Sequence, residues 1–176
     1  MTLIFALILV ALVFAIALFF LGREGFWAAT IGPADLGPII FQSFKRSNLP
    51  NNALICPENY CDKAIPEVVA QEFNVSAEKL REELRTCLER EAHLERVHTN
   101  DPSMNERYIQ RSQTFRFPDT IQVEYIPLGP DHSSIALYSR AQIGFSDRNV
   151  NLKRLKRWVK QLELAVGAAI HDKNSP

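Results

Sequence analysis

Arg140, Ser146, Asp147 and Asn151 stand close together in the chain, between an alternating apolar run and a helical one. Ser139 precedes Arg140 directly. A helix amino end carries free N–H groups and partial positive charge, so a loop opening onto one can receive an anion. Arg140, joined by Arg111 from an earlier segment, is able to complete such a pocket by bidentate contact with a carboxylate or phosphate. The same residues suit a structural clamp equally: Asp147 bonding loop amides, Asn151 capping the helix, and Arg140 pairing with Asp147 or Asp119. The residues alone leave both readings open.

Other chemistries find less support. Gly144-Phe145-Ser146-Asp147-Arg148 begins like a nucleophile elbow, but arginine stands where the second glycine must relieve a strained turn. No phosphate loop, dinucleotide fingerprint or H-E-x-x-H occurs. His93, His98, His132 and His171 have no spacing that closes a metal site with the cysteines, so neither metal nor cofactor is expected. Cys56 and Cys61 bracket Pro-Glu-Asn-Tyr, a spacing that closes a small disulfide loop in an oxidising compartment. Reduced bystander thiols, or a thiol-redox or metal module, are the alternatives. Cys87 falls on the apolar face of a helix and reads as a small core residue.

The elements that position these residues begin with an anchor. The chain has 176 residues, with 20 Lys+Arg against 20 Asp+Glu, and none of those charges lies in the first 22 positions. From Leu3 to Leu21 no side chain is polar. At about 1.5 Å per residue this run matches the roughly 30 Å of a bilayer core. A cleaved signal peptide fits less well, because only Met1 and Thr2 precede the run and Gly22-Arg23-Glu24 does not resemble a cleavage site. Residues 1–22 therefore read as a single transmembrane anchor. Phe26 and Trp27 just beyond suit the headgroup belt. Zero net charge excludes a general nucleic-acid binder, which needs a basic surplus.

Residues 23–66 are rich in Gly, Pro, Asn and Ser and read as a connector carrying the Cys56/Cys61 loop. Residues 67–170 read as the folded domain, and 171–176 as a tail. In the domain, Leu80, Leu84, Cys87 and Leu88 repeat at helical spacing after Ser76, which is placed to cap them. Strands are predicted over 107–117, 120–128 and 133–143, with weaker ones over 68–73 and 94–99. Short Pro- and Gly-containing turns between the three strong strands imply antiparallel hairpins. A last helix opens at Asn151, its apolar stripe being Leu152, Leu155, Val159, Leu162 and Val166, widened by Trp158 and Ala169. Its other face carries Lys153, Arg154, Lys156, Arg157 and Lys160, which suits either solvent or anionic headgroups. Residues 58–91, with nine acids against five bases, offer a counterpart within the chain. The fold expected is α+β: an antiparallel sheet with two helices packed on one face, preceded by one transmembrane helix.

Three spaced motifs carry a resemblance. Pro50-Asn51-Asn52-Ala53-Leu54-Ile55-Cys56-Pro57 with Cys61, then Arg111 with Phe117-Pro118-Asp119-Thr120-Ile121, then Ser139-Arg140 followed by Gly144, Ser146-Asp147-Arg148-Asn149-Val150-Asn151, together resemble the bacterial family catalogued as domain of unknown function 1499. Asn149 stands where that family usually has glycine, a substitution its tolerance of left-handed backbone allows. The resemblance implies an architecture and a residue list (Arg111, Asp119, Ser139, Arg140, Ser146, Asp147 and Asn151), and no reaction.

The function expected is therefore a non-catalytic binding or interaction module, held by one span in a bacterial inner membrane with its domain outside. Its partner would be a lipid, a small anion or an envelope protein, with no nucleic acid. An enzyme with a cleft at Arg140, Ser146 and Asp147 is the alternative.

Overall fold

The computed structural model describes residues 2–173, with side chains described through residue 167. Most of the expected 171–176 tail, and the side chain of Ala169, lie outside the described residues.

The first helix, α1 (Thr2–Ile31), is long and apolar enough to cross a membrane, and none of its residues is buried by the rest of the chain. It is two helices broken at Gly22, whose φ of 65° is in the left-handed region that only glycine enters freely. The break directs residues 23–31 back toward the apolar run, so that Phe26 meets Phe14 edge to face with ring centroids 5.0 Å apart.

Six strands follow: β1 (Asn52–Cys56), β2 (Val68–Val69), β3 (Leu94–Asn100), β4 (Asn105–Arg111), β5 (Pro118–Gly129) and β6 (His132–Ala141). They form one sheet in the order β2-β1-β6-β5-β4-β3. Every pair is antiparallel except β1 with β2. Helix α2 (Ala77–Leu88) lies between β2 and β3, and α3 (Val150–Lys173) follows β6. Ser76 caps α2 as its position predicts, accepting a hydrogen bond from the Lys79 amide at 3.2 Å.

One face of the sheet meets both helices. Leu80, Leu84 and Leu88 of α2 and Leu155, Trp158 and Leu162 of α3 share a core with Ile55, Ile121, Val123, Tyr125, Ile135 and Leu137. The opposite face is covered too. There Leu54, Ala136 and Tyr138 pack with Phe41 and Ala64, and with Ile39, Phe44, Tyr60 and Cys61 around them. Alternation along β6 explains the division, since Ile135, Leu137 and Ser139 point one way and Ala136, Tyr138 and Arg140 the other.

Four expectations change. Strand β1 arises inside the expected connector, because Asn52–Cys56 is buried on both faces and so shows no alternation. Its neighbour β2 makes the sheet mixed, whereas the sequence implies a purely antiparallel one. Phe41, wholly buried, makes part of the connector a second layer of core. The strand expected over 107–117 ends at Arg111, where a tight loop takes over: Ser112 N–H donates to the Phe117 carbonyl at 2.9 Å, and Arg116 turns back with φ 60°.

Candidate functional site

Helix α3 opens on a network that the sequence motif supplies almost entirely. Asp147 performs the capping: its carboxylate accepts from the amides of Asn149 (2.9 Å) and Asn151 (2.8 Å). Asn149 has φ 63°, the left-handed geometry expected where the family pattern has glycine. The loop needs that turn to bring two amides round one carboxylate. Asn151 is not a cap. It lies inside the first turn, wholly buried, and ties three elements together. Its side-chain oxygen accepts from Ser139 and from Arg154 (2.6 Å), and its amide nitrogen donates to the Asn51 carbonyl at 3.2 Å. Arg154 then reaches Asp119 at 2.8 Å. Burial pushes the Asp119 carboxyl up, and it stays above the ordinary aspartate range although the Arg154 guanidinium pulls it down.

Ser146 does not face this network. It is exposed, and its hydroxyl accepts from the Arg148 amide at 3.3 Å within the loop. Arg140 lies across the sheet from Ser139, as alternation requires. Its guanidinium donates to the carbonyls of Leu36 (2.7 Å) and Gly37 (3.1 Å), which fastens the connector to the sheet. Beside it, Arg107 holds Asp35 with two hydrogen bonds of 2.7 and 2.8 Å. Gln122 donates to and accepts from Ile39 as a strand's backbone would. Among the seven candidate positions, then, Asp119, Ser139, Asp147 and Asn151 converge at the head of α3, whereas Arg140, Ser146 and Arg111 occupy three other places.

Arg111 belongs to the contact between α1 and the domain. Glu24 bridges it and Arg116, at 3.1 and 2.6 Å. Arg23 donates to the Thr114 carbonyl, and the Trp27 indole donates to the Phe115 carbonyl at 2.7 Å. Trp27 also packs on Phe117 with centroids 4.9 Å apart, and Phe117 stacks on Phe115. The β4–β5 loop is therefore level with the first charged residues after the apolar run. Phe115 is nonetheless 60% exposed, and Phe145 and Val150 at the same end of the sheet are 72% and 51% exposed.

A cavity of about 700 Å³ opens at the base of that loop, between it and α3. Arg111, Gln110, Glu91, Val150, Lys153 and Arg157 line it, and one edge is Ser112-Gln113, next to the Thr114 that Arg23 holds. The basic face of α3 is divided in use. Arg154 pairs with Asp119 and Arg157 with Glu91 of the acidic 58–91 stretch, while Lys153, Lys156 and Lys160 meet no carboxylate among the described residues.

Sequence reasoning missed Glu106. Its side chain is wholly buried between α2 and the sheet, one oxygen taken by Arg85 and the other by the hydroxyls of Tyr108 (2.6 Å) and Tyr125 (2.9 Å). Burial, then the hydrogen bond to Glu106, pushes the Tyr108 hydroxyl far up, so it stays a donor. Four donated bonds on one carboxylate make a satisfied clamp. The signal was present in β4, where Glu106 shares a face with Tyr108 and opposes Val123 of the core. Cys56 and Cys61 form a disulfide, which pins the β1–β2 crossover beneath the second face. Cys87 is free and half-buried, its thiol pushed up by burial. No group of three or more His, Cys, Asp or Glu residues arranged for a metal occurs among the described residues.

The model of the family described as protein of unknown function (DUF1499) matches residues 42–162, more than half of the chain, and the chain belongs to that family. No curated protein matches it.

Proposed function

We propose that this member of the DUF1499 family is a non-catalytic binding module, held by α1 against the outer surface of a bacterial inner membrane. The observation that carries the reading is the bonding of residues 23–27 to the β4–β5 loop. Arg23 and Glu24 are the first charges after the apolar run, so the loop they grip is held beside the exit of that run. That grip supports a domain lying on the bilayer with one particular end down, rather than swinging on a tether. The end that meets the membrane carries exposed Phe115, Phe145 and Val150 beside basic side chains, the mixed character that interfaces accept.

The Cys56–Cys61 disulfide supports the outward side, because such bonds persist in oxidising compartments. A binding role is favoured over an enzyme cleft at Arg140, Ser146 and Asp147, because those three side chains occupy different surroundings and share no reacting point. Asp147 and Asn151 are fully used in holding the chain together.

Two measurements test this. A reporter active only outside the cytoplasm, fused after Pro176, should be active. On protein isolated without reductant, an alkylating reagent should label Cys87 alone. An inactive reporter, with Cys56 and Cys61 labelled as well, would overturn the outward placement.

A further inference from the structure

The cavity between the β4–β5 loop and α3 has two unmet demands of opposite kind. Lys153 lies in the first turn of α3, where the helix dipole opposes a cation, and no carboxylate among the described residues balances it. Gln110, only 9% exposed, donates from Nε2 to the carbonyls of Ala92 (2.8 Å) and Arg111 (3.3 Å), which fixes its amide and leaves the buried Oε1 with no partner. A buried acceptor without a donor calls for a missing group. One demand is met by an anion and the other by an O–H or N–H donor.

Arg111 and Arg157 flank the same space, and each is already bonded to glutamate, Arg111 to Glu24 and Glu95, Arg157 to Glu91. A bulky polyanion would have to break those pairs. A single phosphodiester would not, and it would add to Lys153 alone. The source of such a group is set by place: the cavity edge, Ser112-Gln113, adjoins Thr114, which Arg23 holds at the exit of the span. Val150 on the rim is apolar and exposed, as suits contact with glycerol and the first acyl carbons.

We propose that this cavity holds the headgroup of a phospholipid whose phosphodiester faces Lys153 and whose headgroup hydroxyl donates to Gln110 Oε1, as phosphatidylglycerol can and phosphatidylcholine cannot. The inference rests on the domain lying with this end on the bilayer, and it names the ligand of that reading. It does not depend on which leaflet is involved.

The test uses the full chain extracted in mild detergent, offered equal amounts of phosphatidylglycerol and phosphatidylcholine, with retained lipid counted by native mass spectrometry. Wild type should retain phosphatidylglycerol in preference. Lys153→Gln should lower that retention about fivefold, the effect of one lysine near an anionic headgroup, while Lys156→Gln on the neighbouring face of α3 leaves it unchanged. Gln110→Met should narrow the preference between the two lipids without removing it, because Lys153 still favours the anionic headgroup.

Equal losses from Lys153→Gln and Lys156→Gln would overturn the site in favour of diffuse charge attraction. Equal retention of both lipids by wild type would overturn the donor to Gln110. Displacement of bound phosphatidylglycerol by millimolar glycerol phosphate would overturn the lipid assignment and leave a site for a soluble phosphate ester. Lys153 is exposed, so its variant folds even if Gln110→Met does not. The reporter fusion separates the two readings: an active reporter with no retained lipid sinks this site and spares the outward module, and the converse result does the reverse.

Discussion

The guanidinium of Arg23 donates to the main-chain carbonyl of Thr114, ninety-one positions further along the chain. One partner is the first charge after an apolar run, and the other is at the tip of the β4–β5 loop. The bond is backed by Trp27 on the Phe115 carbonyl and by Glu24 between Arg111 and Arg116. The domain is thus gripped at one end of its sheet, by the side chains that directly follow the apolar run.

Trp27→Ala removes one bond and the Phe117 contact without touching the core of the sheet. The β4–β5 loop should loosen while the domain stays folded. In hydrogen exchange on the full chain, amides over 112–117 should gain exchange, and those of β5 and β6 should keep their protection. Faster exchange throughout the sheet would mean that the anchor contact supports the fold itself.

Glu106→Gln leaves the Arg85 guanidinium, itself 32% exposed, facing a neutral amide at the edge of the core, and turns one acceptor into a donor opposite two tyrosine hydroxyls. Breaking a fully buried pair costs on the order of 3 kcal/mol and solvent at Arg85 screens part of that, so chemical denaturation should show a loss of about 2 kcal/mol. Glu78→Gln, on an exposed turn of α2, serves as the control and should change stability little.

Asn151→Ala strands three partners at once: Ser139, Arg154 and the Asn51 carbonyl. A loss of roughly 2–4 kcal/mol is expected. Asp147→Ala, which removes only a cap, should cost about 1 kcal/mol. A ligand role for Asp147 would appear as the opposite pattern, with unchanged melting and lost binding.

Asp35 gives a pH signature. Burial pushes its carboxyl up, but the Arg107 hydrogen bond, the Gly37 amide and the charges of Arg107 and Arg140 outweigh that and hold it below the ordinary range. A carboxyl depressed in the fold stabilises above its unfolded value, about 3.9, and that contribution is lost as pH falls through the folded value. Asp35→Asn should therefore lower the melting temperature at neutral pH, and the gap from wild type should close as pH falls through that lowered folded value. A gap that persists there would mean that shape, not charge, makes the contact.

Reduction of Cys56–Cys61 releases a small loop, for which chain entropy gives about 2 kcal/mol. Cys61→Ser should reproduce the effect of reductant on melting, and reductant should then have no further effect on the variant.

Much of this was legible from side-chain order. Uniform apolarity disclosed the long apolar helix α1, Ser76 disclosed the start of α2, and the alternation of Ile135, Leu137 and Ser139 disclosed β6. What escaped has a common physical cause. Alternation marks a strand with one wet face, and β1 has none, since the connector folds over its second face and buries Phe41 there. Pro- and Gly-rich composition reads as loop whether or not the loop packs. For the site, the residues at the head of α3 were named, and Asp147 bonds loop amides as the clamp reading has it, but the cap falls to Asp147 while Asn151 binds Ser139, Arg154 and the Asn51 carbonyl. Arg140 was grouped with them by sequence, yet a strand sends successive side chains to opposite faces. Glu106 and Gln110 were hidden because a polar residue on a mostly polar strand looks exposed until a helix covers it.

The most direct test of the membrane-apposed domain is depth. Nitroxide labels placed at Phe115→Cys and at Asp131→Cys, in a Cys87→Ser background of the full chain in vesicles, report the two ends of the sheet. The label at 115 should meet lipid-soluble oxygen at headgroup depth and the label at 131, in the β5–β6 turn, only water-soluble relaxant. Two fully aqueous labels would contradict it and leave the domain free of the surface.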